Sequence, residues 1–449
     1  MKRYLVPALA ELHGRKALPD DLRILGSARD EWSDDEFRRA MTEGAHNAAA
    51  PPPQDELRAV CARMTYVKSD LSDPTSLQAV LDAAEGVPLI YLAVPPKVAR
   101  QAVEGLASCG LPPGSELVLE KPFGHDLASA QELNRLLAHH FDEDHVYRVD
   151  HFLGLRTVRN ILAVRFANRV FEGLFHRDHV ERVDIVWDET LALEGRAGYF
   201  DGTGALKDML QNHLLQVMAF VAMERPEELR ARQLQARKLE VLRNVKKVSA
   251  AEAASRSVRG RYGEGQIKGE RVPAYVDEEG VDPKLNTETF AQITLEIEND
   301  RWAGVPFTLR SGKALGRNRQ EVVVTLKKSA GSDLFKWPHP NELRIQLEPD
   351  GLALTLNTIA DDVQRPMCTA QLDGPLPAHA LSPYARVLHS IFTGTTMTAI
   401  GGHEAEEAWR IVEPYLQAWR EGRAPLDTYA AGSDGPEAAG KAPERTQGC

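Results

Sequence analysis

Residues 198–223 carry more polar side chains than the packing of a helix requires. Asp208, Asn212 and Gln216 recur at helical spacing beside an apolar stripe, and His213 lies on the border between the two stripes. A neutral imidazole there would be partly desolvated yet reachable, which suits a base that takes a proton near neutral pH. A hydrogen-bonded core histidine is the alternative interpretation. The apolar stripe consists of Leu206, Leu210, Leu214, Val217 and Val221.

Two further candidate groups precede this stretch. Lys121 directly follows a predicted strand in EKPFGHDL (120–127), which places it at the carboxyl edge of a parallel sheet, where ligands bind. A plain surface lysine is the alternative. Asp150 and His151 stand side by side in RVDHFLG (148–154), at a predicted domain junction. A carboxylate in such a position can hold a distant imidazole in one tautomer and stabilise its charged form.

A cationic cluster follows the stretch, in RWAGVPFTLRSGKALGRNR (301–319). Lys313 comes after a predicted strand, and Arg317 and Arg319 follow it. Such a cluster either binds a phosphate or forms a solvated loop, and the sequence leaves both interpretations open. Glu189 adds a carboxylate on the strand that precedes the 198–223 stretch.

The composition indicates a cytoplasmic enzyme. The chain has 449 residues and a formal net charge of −11 without a basic run, which argues against nucleic acid as a partner. Its apolar runs are too short for a membrane span, and its start lacks the apolar core of a signal peptide. The four cysteines have neither metal-ligand spacing nor a disulfide framework, so we predict free thiols and no metal site.

The order of elements predicts two domains. Residues 1–150 alternate helical and strand patterns, including a helix opened by Ser33, which predicts parallel β-α-β units in a doubly wound sheet and a dinucleotide site. Residues 151–430 contain helices and then long alternating strands, which predict a β+α domain with a large, mostly antiparallel sheet. Residues 431–449 are small and polar and are predicted to be a disordered tail.

Five strings, in this order and spacing, resemble the glucose-6-phosphate dehydrogenase family from about residue 2 to about residue 418. They are EKPFG, RVDHFLG, RFAN, EGRAGYFDGTGALKDMLQNHLLQ and WAGVPFTLRSGKAL. The resemblance implies an α/β Rossmann-like coenzyme domain and a β+α domain whose sheet serves dimerisation. It also implies oxidation of glucose 6-phosphate with NADP by a cytoplasmic homodimer or homotetramer.

The resemblance implies roles for the residues singled out above. His213 matches the base that removes the C1 hydroxyl proton, and Asp150 matches its orienting carboxylate. Glu189 and Asp208 match acids that hydrogen-bond sugar hydroxyls. The remaining matches are His151 as a phosphate ligand, Lys121 between coenzyme and sugar, Lys313 as a substrate-binding lysine, and Arg29 at the coenzyme 2′-phosphate, where a guanidinium fits better than it fits a ribose diol. Asp70, Leu71 and residues 93–96 match backbone positions along the coenzyme.

The chain departs from the family pattern at the phosphate site. A tyrosine and a lysine usual after the Asp-His pair are Phe152 and Leu155 here, and Asn318 stands where a cation is common. One lost charged hydrogen bond costs about 1.5–3 kcal/mol. If glucose 6-phosphate is the substrate, Arg156, Arg159 or the pair Arg317 and Arg319 is therefore expected to compensate.

The glycine-rich turn of a coenzyme domain is also missing, because the sequence opens inside a predicted helix. We therefore expect Met1 to be an internal methionine of a longer product, and the chain as given to bind NADP poorly. Two alternatives stay open, a related sugar oxidoreductase and a non-catalytic paralogue that cannot bind coenzyme. The first is disfavoured by the four residues between Asp208 and His213, where such enzymes have three.

Overall fold

The computed structural model of the chain describes residues 2–48, 50–195, 197–329, 331, 339–360, 367–376, 381–394 and 399–442. They fall into two units. The first draws on Met1–Leu155, Pro226–Gln235 and His379–Glu406, and the second on Arg156–Arg225, Ala236–Ala378 and Glu407–Cys449. The sequence placed the boundary at residue 150 and did not anticipate that two later segments belong to the first unit.

The described residues form fourteen α-helices, one π-helix and several short 3₁₀ turns. The α-helices are α1 (Leu5–Gly14), α2 (Asp34–His46), α3 (Gln54–Cys61), α4 (Pro74–Ala83), α5 (Pro96–Cys109), α6 (Leu127–His140), α7 (Arg156–Phe166), α8 (Arg169–Glu172), α9 (Ala197–Phe200), α10 (Leu215–Ala222), α11 (Ala231–Arg243), α12 (Ala250–Ser255), α13 (Pro383–Phe392) and α14 (Gly402–Arg420). The π-helix spans Leu206–Leu214 and continues directly into α10.

The strands of the described residues alternate with helices at first and then follow one another. They are β1 (Ile24–Ala28), β2 (Met64–Lys68), β3 (Leu89–Leu92), β4 (Glu116–Glu120), β5 (Val146–Val149), β6 (Val180–Asp188), β7 (Ser257–Gly263), β8 (Gly265–Ile267), β9 (Glu270–Val272), β10 (Phe290–Glu296), β11 (Pro306–Gly312), β12 (Arg319–Leu326), β13 (Glu342–Gln346), β14 (Gly351–Ile359), β15 (Met367–Pro375), β16 (Ala399–Ile400) and β17 (Leu426–Ala430).

The first unit has the predicted α/β architecture. Strands β3, β4 and β5 are parallel neighbours, and β16 pairs with β5 in the antiparallel sense. Strands β1 and β2 form a separate parallel pair, so β1 and β3 each have one strand neighbour within the described residues. The predicted residues Arg29, Lys121 and Asp150 directly follow β1, β4 and β5. Each therefore lies at the carboxyl end of a parallel strand, where ligands of such sheets bind.

The start of α2 follows from a capping box. The Ser33 side chain accepts a hydrogen bond from Glu36 N, and the Glu36 carboxylate accepts one from Ser33 N at 2.8 Å. These bonds satisfy backbone groups that a helix start otherwise leaves without partners. The helix then buries Phe37 and Met41 in the core that α1 and α3 share. The start at Ser33 was predicted, whereas α3 was not.

The second unit is built on a mostly antiparallel sheet. Its described strands follow the order β15-β14-β13-β12-β6-β11-β10-β7-β17. Neighbours are antiparallel except for β6 with β11 and β7 with β17, which are parallel. Burial alternates along the second half of β10, as expected of a strand with one face on the core. The predicted fold class is confirmed, but the two parallel pairs were not predicted.

Residues 431–442 pack against this sheet. Gly432 N donates to Ala314 O, and Gly316 N donates to Ser433 O, both at 2.8 Å. The expectation of a disordered tail is therefore wrong for this segment, because its backbone bonds are made within the fold. The rest of the predicted tail, 443–449, lies outside the described residues.

Cys61 and Cys109 are free thiols, as predicted, whereas Cys368 is disulfide-bonded, so the prediction is wrong there.

Across the described part of the chain, no helix is both long and apolar enough to cross a membrane. The same residues bring together no group of His, Cys, Asp and Glu side chains that could hold a metal ion.

Candidate active site

Glu189 and Lys313 form an ion pair in the second unit. Asp188 and Gly312 are register partners at the ends of the parallel strands β6 and β11, so the next residue of each strand lies beside the other. Lys313 Nζ is 2.8 Å from Glu189 Oε2, and Trp187 Nε1 donates to Glu189 Oε1 at 3.2 Å. Both charged side chains are largely buried. The sequence analysis placed Glu189 on a strand and Lys313 after one, but did not predict that they pair.

The backbone of Lys313 is fixed on both sides. Its N–H donates to Thr289 O at 2.9 Å, and its carbonyl accepts from the Tyr429 hydroxyl at 2.7 Å. Leu315 N donates to Glu189 O at 2.9 Å, which closes the loop onto the end of β6. The loop therefore holds the ammonium group in a defined place.

Asp208 and His213 lie on the π-helix, whereas the sequence predicted an α-helix there. Hydrogen bonds of a π-helix join residues five apart, so residues with that spacing lie one turn apart on nearly the same side. Around an α-helix of about 3.6 residues per turn, the same two residues would point about 140° apart. The π-winding therefore brings the acid and the imidazole to one side of the helix.

Both residues have neighbours that fix them. His213 is 1% exposed, which is more buried than its border position predicted, and its backbone N–H donates to Asn212 Oδ1 at 2.6 Å. Asp208 is half-buried and accepts from the Tyr199 hydroxyl at 3.2 Å. Tyr199 is a contact that the sequence analysis missed.

The π-helix begins against a buried carboxyl group, Glu288, that the sequence analysis also missed. Leu206 N donates to Glu288 Oε1 at 3.0 Å, and Ala205 N donates to the Glu288 carbonyl at 3.1 Å. Gly204 adopts φ +74°, and a Cβ there would lie 2.3 Å from Glu288 Oε1. Burial raises the pKa of Glu288 to about 7. The signal for this contact was the paired glycines before the helix, which permit a close approach.

Asp150 caps a 3₁₀ turn in the first unit. It is 1% exposed, and its Oδ1 accepts from Phe152 N at 2.9 Å while its carbonyl accepts from Leu153 N at 3.0 Å. These bonds satisfy two N–H groups of the turn His151–Gly154 and fix the carboxylate.

The His151 ring lies in an aromatic stack. Its centroid is 5.6 Å from that of Tyr384, with 8° between the planes, and Tyr384 stacks in turn on Tyr4 at 5.2 Å. Burial, together with nearby carboxylates, raises the pKa of Tyr384. Tyr384 lies on α13, far from His151 in sequence, so the sequence analysis could not find it.

Lys121 follows a strand end that is fixed by its neighbour. The Tyr91 hydroxyl donates to Glu120 Oε1 at 2.6 Å, which joins the ends of β3 and β4. Burial, and next the Glu120 charge, raise the pKa of Tyr91. Lys121 itself is half-buried.

Arg29 is exposed after β1, and Asp70 follows the paired strand β2. Hydrogen bonds from Ser72 hold the pKa of Asp70 below its ordinary value, and the Arg29 guanidinium contributes to the same shift. An exposed guanidinium at the carboxyl end of a parallel strand fits a phosphate group.

One position that departs from the family pattern, Asn318, and one predicted compensating cation, Arg156, have structural partners. Asn318 Oδ1 accepts from Thr190 N at 2.7 Å and so holds the segment after Glu189. Arg156, a predicted compensating cation, bonds to Asp350 Oδ2 through Nε at 3.1 Å and Nη2 at 3.0 Å. Arg156 is therefore engaged in an ion pair of its own.

The predicted residues divide between the two units. The first unit carries Arg29, Lys121, Asp150 and His151, and the second carries Glu189, Asp208, His213 and Lys313. Within the second unit the structure brings Glu189 to Lys313 and turns Asp208 and His213 to one side of a helix.

Two family profiles match the chain. They are "Glucose-6-phosphate dehydrogenase, NAD binding domain" over residues 1–160 and "Glucose-6-phosphate dehydrogenase, C-terminal domain" over residues 162–448. Among curated proteins, the glucose-6-phosphate 1-dehydrogenase of Gluconobacter oxydans is 38% identical over 97% of this chain and 92% of its own length. That of Treponema pallidum is 36% identical over 97% of this chain and 90% of its own length.

Solved structures of the same family also match the chain. The glucose-6-phosphate 1-dehydrogenase of Mycobacterium avium matches with a TM-score of 0.86 at 32% identity, covering 99% of this chain and 96% of that chain. A glucose-6-phosphate dehydrogenase in complex with its substrate glucose 6-phosphate matches with a TM-score of 0.85 at 26% identity, covering 99% and 93%. The resemblance seen in the sequence motifs is confirmed, and the chain belongs to the glucose-6-phosphate dehydrogenase family.

Proposed function

We propose that the chain oxidises D-glucose 6-phosphate to 6-phospho-D-glucono-1,5-lactone while reducing NADP⁺, the first step of the oxidative pentose phosphate pathway. Family membership and the relatives named glucose-6-phosphate 1-dehydrogenase support an oxidoreductase that uses a nicotinamide cofactor. The observation that carries the proposal is the π-helix, which turns Asp208 and His213 to one side. This arrangement suits a sugar whose hydroxyls need both a proton acceptor and a hydrogen-bond acceptor.

In the proposed reaction His213 takes the proton of the C1 hydroxyl as the C1 hydride leaves, and the C1–O bond becomes the lactone carbonyl. The cofactor, when bound, supplies the hydride acceptor. Asp208 and Glu189 accept hydrogen bonds from other sugar hydroxyls, and Lys313 donates to the substrate. The Lys313–Glu189 pair fits this role because each partner holds the other in place before the sugar arrives.

The first unit is proposed to bind the coenzyme. Arg29 would hold the 2′-phosphate of NADP, which fits its exposure and its position after β1. The resemblance assigns Lys121 to the region between coenzyme and sugar, His151 to the substrate phosphate, and Asp150 to the orientation of the base. These three assignments stay predictions.

The substrate phosphate needs a cation in place of the lysine that Leu155 replaces. Arg156 is bonded to Asp350 and is a poor candidate. Arg317, which is exposed in the loop after Lys313, fits the task better within the second unit. Arg319 is largely buried, and its Nε lies 3.8 Å from Glu321 Oε1.

We also propose that the chain is cytoplasmic and assembles as a homodimer or a dimer of dimers through its large sheet. Strands β14 and β15 expose Leu356, Ile359 and Leu372, which are 37%, 79% and 59% exposed. Leu356 pairs with Ala370 and Leu354 with Leu372, so Leu354, Leu356 and Leu372 share one face. An apolar sheet face of this kind suits a second copy of the same surface. Light scattering on the purified protein checks the mass.

Coenzyme reduction by the purified chain tests the proposal. With glucose 6-phosphate, and with NADP⁺ at concentrations high enough to offset the weak coenzyme binding expected of this chain, we expect turnover, and with free glucose a much lower kcat/KM. Replacing NADP⁺ by NAD⁺ tests the preference that Arg29 implies. No coenzyme reduction would favour the non-catalytic alternative, and coenzyme titration would then separate failure to bind coenzyme from failure of the chemistry. A higher kcat/KM for an unphosphorylated sugar would contradict the proposed substrate.

A further inference from the structure

Segment 287–289, Thr-Glu-Thr, contacts both parts of the candidate site in the second unit: the π-helix that carries Asp208 and His213, and the loop that carries Lys313. It directly precedes β10, and the side chains of Thr287, Glu288 and Thr289 are all buried. The segment contacts the start of the π-helix on one side and the backbone of Lys313 on the other. Both sets of contacts are hydrogen bonds.

The first set fixes the start of the π-helix. The carbonyl and the carboxylate of Glu288 accept hydrogen bonds from two successive N–H groups, those of Ala205 at 3.1 Å and Leu206 at 3.0 Å. The first N–H groups of a helix have no partner within the helix. Glu288 therefore determines where the π-helix begins, and with it the direction in which Asp208 and His213 point.

The turn before the helix is fixed by the neighbouring threonine. Gly202 N donates to Thr287 Oγ1 at 2.9 Å, and Thr287 Oγ1 donates to Asp201 Oδ1 at 2.8 Å. Gly204, between this turn and the helix, allows the Glu288 carboxylate to lie directly over its Cα, because any Cβ would collide with it. These contacts fix the backbone conformation of the turn that precedes the π-helix.

The second set fixes Lys313. Thr289 O accepts from Lys313 N at 2.9 Å. The Tyr429 hydroxyl lies 2.8 Å from Thr289 Oγ1 and donates to Lys313 O at 2.7 Å. Adjacent residues of one segment therefore hold the helix of Asp208 and His213 and the loop of Lys313 at a fixed separation.

A carboxyl group in this place is not explained by packing. Burying a charged or polar group costs free energy unless it is hydrogen-bonded, so a core that needed only volume would favour an apolar residue. The charged groups that act on Glu288 are Lys207 on the π-helix and Arg259 on β7. The Glu288 carboxylate accepts a hydrogen bond from Leu206 N, at the helix start.

We propose that Glu288 is a positioning residue, which holds the π-helix so that Asp208 and His213 face the sugar that Lys313 binds. The inference rests on the proposed function for the roles of those three residues. Glu288 touches neither the sugar nor the cofactor in this proposal and acts only through Ala205 and Leu206.

Two substitutions at Glu288 and one control test the proposal. Glu288→Ala removes the acceptor, and Glu288→Gln keeps an oxygen that can accept from Leu206 N. Glu278→Gln is the matched control, because Glu278 is a half-buried carboxylate of the same unit that accepts from the Tyr262 hydroxyl at 2.8 Å. For Glu288→Ala we expect kcat to fall about tenfold to a hundredfold, since small misplacements of catalytic groups have effects of that size. Glu288→Gln should retain kcat within about threefold.

The KM for glucose 6-phosphate and the rate of amide hydrogen exchange separate positioning from a loss of folding. In Glu288→Ala we expect KM to change less than about threefold and exchange to accelerate in peptides covering 205–214. Exchange elsewhere in the second unit, and all properties of Glu278→Gln, should match the wild type. A wild-type kcat in Glu288→Ala would overturn the proposal. An equal loss of kcat in Glu288→Ala and Glu288→Gln, with exchange accelerated throughout the second unit, would also overturn it. If the wild type does not oxidise glucose 6-phosphate, the proposed function fails, whereas exchange at 205–214 still decides the role of Glu288.

Discussion

Lys313 Nζ lies 2.8 Å from Glu189 Oε2, although the two residues are 124 positions apart in the chain. The pair exists because β6 and β11 run parallel and end in register, so that the residues just beyond Asp188 and Gly312 meet. A largely antiparallel sheet thus contains one parallel pair at the place where the family resemblance expects sugar binding.

The pair makes Lys313 sensitive to substitution. Lys313→Met removes the charged donor that we propose for the substrate and leaves the Glu189 carboxylate without this cation. We expect kcat/KM for glucose 6-phosphate to fall about tenfold to a hundredfold, since a hydrogen bond to a charged group contributes about 1.5–3 kcal/mol. Lys327→Met, at an exposed lysine after β12, is the control and should behave as the wild type. Equal kinetics for the two variants would contradict the role of Lys313.

Gly204 is expected to tolerate no side chain. Its φ is +74°, and a Cβ would lie 2.3 Å from the Glu288 carboxylate. Gly204→Ala should lower the free energy of unfolding by about 1–3 kcal/mol, from backbone strain and collision combined. Gly198→Ala is the control, because a Cβ there meets no atom within 4 Å. Denaturant unfolding measures both, and a Gly204→Ala variant as stable as Gly198→Ala would refute the close approach.

The sequence predicted the larger features because they depend on local patterns. Apolar runs predicted strands of the first unit, alternating segments predicted strands of the second, and Ser33 predicted the start of α2. Lys121 and Lys313 were found because a residue directly after a strand lies at a sheet edge. The family motifs then supplied roles that spacing alone could not.

The remaining features depend on contacts between distant residues. The apolar stripe of 206–214 is compatible with an α-helix, so the π-winding appears only with the fold. Glu288 precedes β10 in an alternating Thr-Glu-Thr string that is typical of a solvated strand, yet it is 8% exposed beneath the Gly204 turn. Segment 431–442 looks disordered by composition, but its backbone groups bond to the loop after Lys313.

Stability should depend on pH through Glu288. The native state keeps the Glu288 proton up to about pH 7, whereas in the unfolded chain the group titrates near its ordinary 4.5. The native state therefore binds more protons in this window, and the stability that the group contributes falls as pH rises through it, by about 3 kcal/mol in total. Above the window the contribution is constant.

Comparison with Glu288→Gln isolates this effect, because all other titrating groups are shared. The free energy of unfolding of the wild type relative to the variant should decrease by about 2–3 kcal/mol between about pH 5 and about pH 8. Urea unfolding at several pH values measures the difference. A difference that is the same at every pH would show that Glu288 titrates normally.

A substitution at Leu155 tests where the substrate phosphate binds. It ends the turn that Asp150 caps, with its N–H bonded to Phe152 O at 3.0 Å. Leu155→Lys places an ammonium where the family has one, and we expect the KM for glucose 6-phosphate to fall by up to about tenfold, from about 1–2 kcal/mol of added attraction to a dianion. Free glucose is the control substrate, since it has no phosphate to gain. An unchanged KM for the phosphate ester would argue that the substrate phosphate binds elsewhere.

The most direct test of the central claim is the turnover number of His213→Asn with glucose 6-phosphate and NADP⁺, measured beside the wild type. Asparagine keeps a polar side chain of similar reach but cannot take a proton near neutral pH. A positioned general base contributes about a hundredfold to ten-thousandfold to a rate, so we expect kcat to fall by that factor while the fold and sugar binding stay nearly intact. A variant that retains most of the wild-type kcat would contradict the assignment of His213 as the base, and with it the chemistry proposed for this chain.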